Sequence, residues 1–156
     1  MLIMNKFYPL VILSVLSLGF GSCKKDSGST NPNNFSTAIV GSWKPVSLGE
    51  QDFEGGTLTT AQTNTSFDAL DFVRFNADNS GVFSESAGTG LPATSKNFNY
   101  LITGSTISMS NESIFTAMGD SKITTLTATT LVIHYEHSET TDGVTYKIIE
   151  DTTFKK

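Results

Sequence analysis

The sequence predicts an all-β domain in which eight short antiparallel strands run up and down and close into a barrel. Three observations lead there. From Ala38 onward Thr, Val, Ile, Phe and Tyr abound, and apolar residues alternate with polar ones. Turn-forming residues recur about every eight to twelve positions. The runs also follow one another through short connections, and closing such a meander removes the edges an open sheet would expose. A two-sheet sandwich is the main competitor.

The chain of 156 residues has one domain's worth of length. Its first 22 residues read as an export signal: Lys6 is the positive flank, Leu10–Phe20 the apolar run, and Gly21 and Ser22 the small residues before a cleavage point. That run of about a dozen residues is short of the roughly 20 that cross a bilayer as a helix. Residues 23–37 follow as a polar tether, "KKDSGSTNPNNFST" after Cys23. About fourteen flexible residues reach roughly 20 Å, more than the Debye length of about 8 Å, so the domain would scarcely feel headgroup charge. An ordered N-terminal strap is the alternative.

Residues 38–156 form the domain, with strands expected at Ile39–Leu48, Leu70–Asn76, Gly81–Ser86, Lys96–Thr103, Ser105–Asn111, Ser121–Thr127, Leu131–Glu139 and Val144–Phe154. "NADNSG" (Asn76–Gly81), "TGS" (Thr103–Ser105) and "TTDG" (Thr140–Gly143) supply the hairpin turns. Phe98, Tyr100 and Ile102 share one face, as do Leu131, Ile133 and Tyr135. Pro45 inside the first strand marks an edge or a bulge. Two stretches break the pattern: Gly49–Ala69 reads as a lid or disordered loop, and Asn111–Asp120 as a helical turn or a loop whose Ile114, Phe115 and Met118 cap an opening.

A formal charge of −5 becomes −6 when the signal and its Lys6 are removed, and the chain has no basic stripe; nucleic acid is not an expected partner. No catalytic constellation is legible. There is no G-x-S-x-G elbow and no phosphate loop. The pairs Asp52 with Glu54, in the expected loop, and Glu150 with Asp151, on alternate faces, read as solubility charges. His134 and His137 fall on opposite faces of a strand and cannot chelate one ion; His134 and Glu136 share a face without an evident third ligand. No metal and no cofactor are expected. The aromatic set is more informative. Phe75, Phe83, Phe98, Tyr100, Tyr135 and Tyr146 are read as pointing inward, the candidates for a ligand contact. An eight-stranded barrel is wide enough either to be filled by side chains or to hold one small ligand, and six inward rings fit both. Trp43, a large indole near a Gly, is expected to plug one barrel end.

The only cysteine, Cys23, cannot form an internal disulfide in an exported chain. With Leu18, Phe20, Gly21 and Ser22 before it, it resembles the lipobox of bacterial lipoproteins. The resemblance implies a diacylglycerol on the Cys23 sulfur, cleavage before it and acylation of the new amine, an anchor that two or more chains make stable. Lys24 in place of Asp after the Cys points to the outer membrane, and "CKKD" resembles lipoproteins of the Bacteroidota, on the periplasmic face or the cell surface. "VGSWKPVS" (Val40–Ser47), "FVRFNADNSGVF" (Phe72–Phe83), "YLITGSTISMS" (Tyr100–Ser110) and "ITTLTATTLVIHY" (Ile123–Tyr135) together resemble the lipocalin-like domains of the calycin group. That resemblance implies an eight-stranded barrel binding a small hydrophobic or amphipathic molecule; the lack of a catalytic constellation leaves no enzymatic activity expected. The resemblance also implies an arginine packed on Trp43. The only arginine is Arg74, so that partner is either missing or replaced, with Lys147 the candidate. The alternative function is a filled barrel serving as a protein-interaction or structural subunit at the outer membrane, with "TTLTATT" (Thr124–Thr130) exposed; its protein partner is unknown.

Overall fold

A computed structural model describes residues 35–88, 90–111 and 119–156. One helical turn, α1 (Phe35–Ala38), precedes nine strands: β1 (Gly41–Glu54), β2 (Thr57–Asn64), β3 (Phe72–Phe75), β4 (Ser80–Ser86), β5 (Ala93–Thr103), β6 (Thr106–Met109), β7 (Gly119–Leu126), β8 (Thr130–Thr141) and β9 (Val144–Lys155). All pairings are antiparallel. β3 to β9 pair in sequence, and β1 closes the cylinder by pairing β3 on one edge and β9 on the other. The result is an eight-stranded barrel with β2 as an added strand. The expected signal, Cys23 and the tether up to residue 34 lie outside the described residues, as do residues 112–118 of the expected capping loop. Residues 35–37, expected to be tether, belong to α1. Among the described residues no helix is long and apolar enough to cross a membrane.

The expected loop Gly49–Ala69 is largely strand. β1 continues to Glu54, turns through Gly55 and Gly56 at φ 57° and 83°, and returns as β2, paired from Leu48↔Asn64 to Glu54↔Thr57. Gly, Thr and acidic residues gave it the composition of a loop. Pairing with β9 across the other edge, from Lys44 to Glu54, makes it strand instead. Asp142 and Gly143, at φ 52° and 81°, likewise make the two-residue turn of the β8–β9 hairpin. Pro45 sits at a bulge: Pro45 faces Phe154 and Ser47 faces Thr153, leaving Val46 unpaired where the missing N–H does no harm.

The lower half of the barrel is solid. Trp43, Val73, Phe75, Phe83, Phe98, Tyr100, Ile107, Ile123, Leu131, Ile133 and Phe154 form one buried cluster, and Phe35 and Ile39 close its lower end. Phe75 meets Phe98 and Tyr100 edge-on at 5.6 and 5.1 Å, while Phe83 stacks on Phe98 at 4.2 Å. The Tyr100 hydroxyl donates to the Asn76 carbonyl at 2.6 Å, which satisfies its one polar atom in the apolar core. Trp43 is fully buried near the lower end, and its Nε1 donates to the Ile39 carbonyl at 2.6 Å. The cation on its ring is Lys156, not Lys147: Lys156 Nζ stands 4.4 Å from the ring centroid and donates to the Val40 carbonyl at 3.0 Å. Lys147 lies too far up β9 and covers Phe53 instead, at 5.0 Å.

Gly81 shows how tightly this half is packed. It pairs with Phe98 across β4 and β5, and a Cβ there would lie 2.1 Å from the Phe98 ring. Phe98 is wedged between Phe75 and Phe83 and has nowhere to move. Gly81→Ala should therefore cost about 1–3 kcal/mol through overpacking, read as a lower midpoint in denaturant unfolding. Lys156→Met, which keeps the apolar stem, should cost about 0.5–1 kcal/mol by the same measurement.

Candidate functional site

The barrel wall is uneven. β1 has 14 residues and β8 and β9 have 12 each, whereas β3 and β6 have 4. β4 has 7, β7 8 and β5 11, so at about 3.3 Å per residue the wall is lowest at β3 and β6, and β8, β9 and β1 are its longest strands. Its inner face is the continuation of the core face, and strand alternation dictates what it presents.

Of the six rings predicted to point inward, Phe75, Phe83, Phe98 and Tyr100 are buried in the packed half. Tyr135 and Tyr146 have the same inward register but stand higher, on the free part of the wall. Tyr135 is half-buried, Tyr146 is 39% exposed and its inward neighbour Ile148 is 40% exposed. Directly below, the inward residues Ile133 and Thr152 are buried. On β8 and β9 the change from buried to partly exposed inward residues therefore runs between the pairs Ile133↔Thr152 and Tyr135↔Glu150.

Register then places an acidic group on the open face. Glu50 is the direct partner of Glu150, and Asp52 follows opposite Ile148. One row reads Glu50, Glu150, Tyr135, the next Asp52, Ile148, His137, and the uppermost Glu54, Tyr146, Glu139. The Tyr135 and His137 rings are parallel within 7°, with centroids 6.3 Å apart. Gln62 Nε2 donates to Glu50 at 3.0 Å. Partial burial first, then the charges of Glu50 and Asp52, push the Glu150 carboxyl above its ordinary value. None of the ion pairs among the described residues reaches Glu50, Asp52 or Glu150.

The outer face of the same wall carries a different set. His134 Nδ1 lies 2.9 Å from Asp151 and its Nε2 3.8 Å from Glu136, with Lys147 Nζ 3.6 Å from Glu136. His134 and His137 do point to opposite faces. Among the described residues no group of three or more His, Cys, Asp or Glu is arranged to hold a metal ion. Arg74 is exposed on the outside of β3.

On the low side, two aspartates fix the rim. Buried Asp71 accepts from the Asp68 and Ser86 backbone N–H groups at 2.7 and 2.8 Å and from the Ser86 hydroxyl at 3.1 Å. Asp68 accepts from Leu70 and Gly90 N–H, bonds that hold its carboxyl below the usual range. They tie the β2–β3 loop to the β4–β5 loop.

A closed eight-stranded antiparallel barrel with a tryptophan buried at one end is a lipocalin-like fold of the calycin group. A family profile described as a lipocalin-like domain matches residues 39–133, more than half of the chain, and the chain belongs to that family. Comparisons with curated proteins and with solved structures gave no match. The matched span ends at Ile133, so Tyr135, His137, Tyr146, Ile148 and Glu150 lie beyond it.

Sequence reasoning missed the acidic face because it placed Asp52 and Glu54 in a loop; on β1 they share the inner face with Glu50. The strict i, i+2 spacing of Glu50, Asp52 and Glu54 was the available signal. Since Glu150 has a raised folded-state value, its ionisation above that value opposes folding, and the penalty fades as pH falls toward the unfolded carboxylate value. Glu150→Gln should therefore raise the thermal midpoint at pH 7 and lose that advantage near pH 4, checked by melts at both values.

Proposed function

We propose that this domain binds a small amphipathic molecule on the open inner face of its tall wall, as a membrane-tethered binding protein of the cell envelope and not as an enzyme. The observation that carries the reading is the sharp change along the inner face. Below Ile133 and Thr152 the barrel is packed, while above them Tyr146 and Ile148 stay about 40% exposed although they point inward. Apolar side chains left facing a concave, partly shielded space are what a binding surface presents. The filled lower half is the observation that favours the second reading, a protein-binding or structural subunit. The exposed aromatic and apolar residues above it favour a small ligand.

The remaining assignments complete the picture. Residues 1–22 act as the export signal, Cys23 carries the acyl chains, and the outer membrane is the site of attachment. α1 packs Phe35 into the closed lower end, so the tether joins the barrel opposite its mouth. The open wall then faces away from the membrane that holds the protein, accessible to a diffusing ligand.

Two measurements test this. Cys23→Ser should move the protein from the membrane fraction to the soluble envelope fraction; unchanged partitioning overturns the anchor. Native mass spectrometry and displacement of a polarity-sensitive dye should detect a bound small molecule. Tyr146→Ala/Ile148→Ala should weaken that binding about tenfold or more, in line with about 1.5–3 kcal/mol for one buried side chain, with little change in the thermal midpoint.

A further inference from the structure

The inner face points to the charge of the ligand. Glu50 and Glu150 are direct cross-strand partners on one face, and like charges in that position repel. Asp52, one inward position higher on β1, adds a third carboxylate. The described residues answer these three with a single neutral hydrogen bond, from Gln62 to Glu50. The basic residues of this wall are spent elsewhere: Lys147 lies with Glu136 and Phe53 on the outer face, and Lys122, opposite His134, lines an outer groove with His134 and Glu136. Beside the carboxylates stand Tyr135, His137, Tyr146 and Ile148, a surface for an apolar or aromatic body.

A second observation lies in the same row. Ser121, on β7, is 1% exposed and its hydroxyl has no hydrogen-bond partner among the described residues. It points inward, paired with buried Ile107 and two residues before Ile123, which pairs with Ile133. Continuing that ladder by two residues brings Ser121 level with Tyr135, whose other neighbour is Glu150. A buried hydroxyl without a partner costs about 1–3 kcal/mol, and a polar group on a bound molecule would relieve it. Two carboxylates, with Asp52 just above them and no ion pair to any of the three among the described residues, thus stand at one end of the row and an unpaired hydroxyl at the other, with a tyrosine between. Two strand spacings, about 10 Å, separate β7 from β9.

Resting on the ligand-binding reading above, we propose that the ligand is an organic monocation with an aromatic or apolar body: its ammonium group sits between Glu50 and Glu150, its body lies on Tyr135, and a distal polar group reaches Ser121. Carboxylates on a half-shielded wall favour an ammonium over a neutral or anionic head, and the ring faces add cation–π attraction. The Glu150 carboxyl, held above its ordinary value by burial and by the charges of Glu50 and Asp52, accords with a site whose charge is balanced only when occupied.

The test uses three probes of one shape, differing only in head group: tyramine, its alcohol analogue tyrosol, and 3-(4-hydroxyphenyl)propionate. Binding is measured by calorimetry on the full chain carrying Cys23→Ser. Tyramine should bind about tenfold or more tighter than tyrosol, with the propionate weakest. Glu50→Gln/Glu150→Gln should erase the preference for tyramine while leaving tyrosol binding unchanged. Ser121→Ala should weaken tyramine a few-fold and leave phenethylamine, which lacks the distal hydroxyl, unaffected. Glu136→Gln/Asp142→Asn removes the same formal charge away from the inner face and should change nothing. Equal binding of tyrosol and tyramine overturns the charge assignment and leaves the ligand-binding reading standing. A control variant as damaging as Glu50→Gln/Glu150→Gln overturns it in favour of general surface attraction. Binding of none of the probes, or of any small molecule from cell extract, overturns both readings together.

Discussion

The barrel depends on β1 having hydrogen-bonding partners on both of its edges. Its first residues pair β3, its upper residues pair β2, and β9 runs along the opposite edge from Lys44 to Glu54. Without the β9 contact the cylinder would be an open sheet with two long exposed edges, and without β2 the upper half of β1 would itself be an edge. The bulge at Val46 lets one strand serve both regions. It adds twist where the closed cylinder gives way to the free wall, at a proline that could not have donated to the ladder.

That division of β1 creates two physical environments on one continuous face. Below, strands surround the axis on all sides, and aromatic rings fill the space so closely that β4 needs a glycine under Phe98. Higher up, the inward residues of β1, β8 and β9 are only partly covered or exposed. The same alternation that buries Ile133 and Phe154 therefore presents Tyr135, Tyr146 and Ile148, together with carboxylates that could not have been buried lower down. The lower half holds the shape, and the upper half is free to carry chemistry.

The family match agrees with this division. It begins at Ile39, directly after α1, covers the plug and most of the packed half, and stops at Ile133, the last buried inward residue of β8. The upper part of β8 and all of β9 lie outside the matched span, whereas β1 and β2 lie inside it.

The sequence by itself determined the eight barrel strands, the hairpin turns and the inward set of rings, and marked Pro45 as an edge or a bulge, because each depends on local φ preference or on a period of two along one strand. Only the tertiary structure decided that the inward rings divide at Ile133, that β2 is a strand, and that Lys156 covers Trp43 where Lys147 was expected. It alone set Glu50 against Glu150 and brought Ser121 into their row. Those facts depend on where strands end and how they register, and register is fixed between segments about a hundred residues apart in the chain. Composition could mark Gly49–Ala69 only as rich in loop formers. What made much of it strand was the edge of β9, which no local pattern announces.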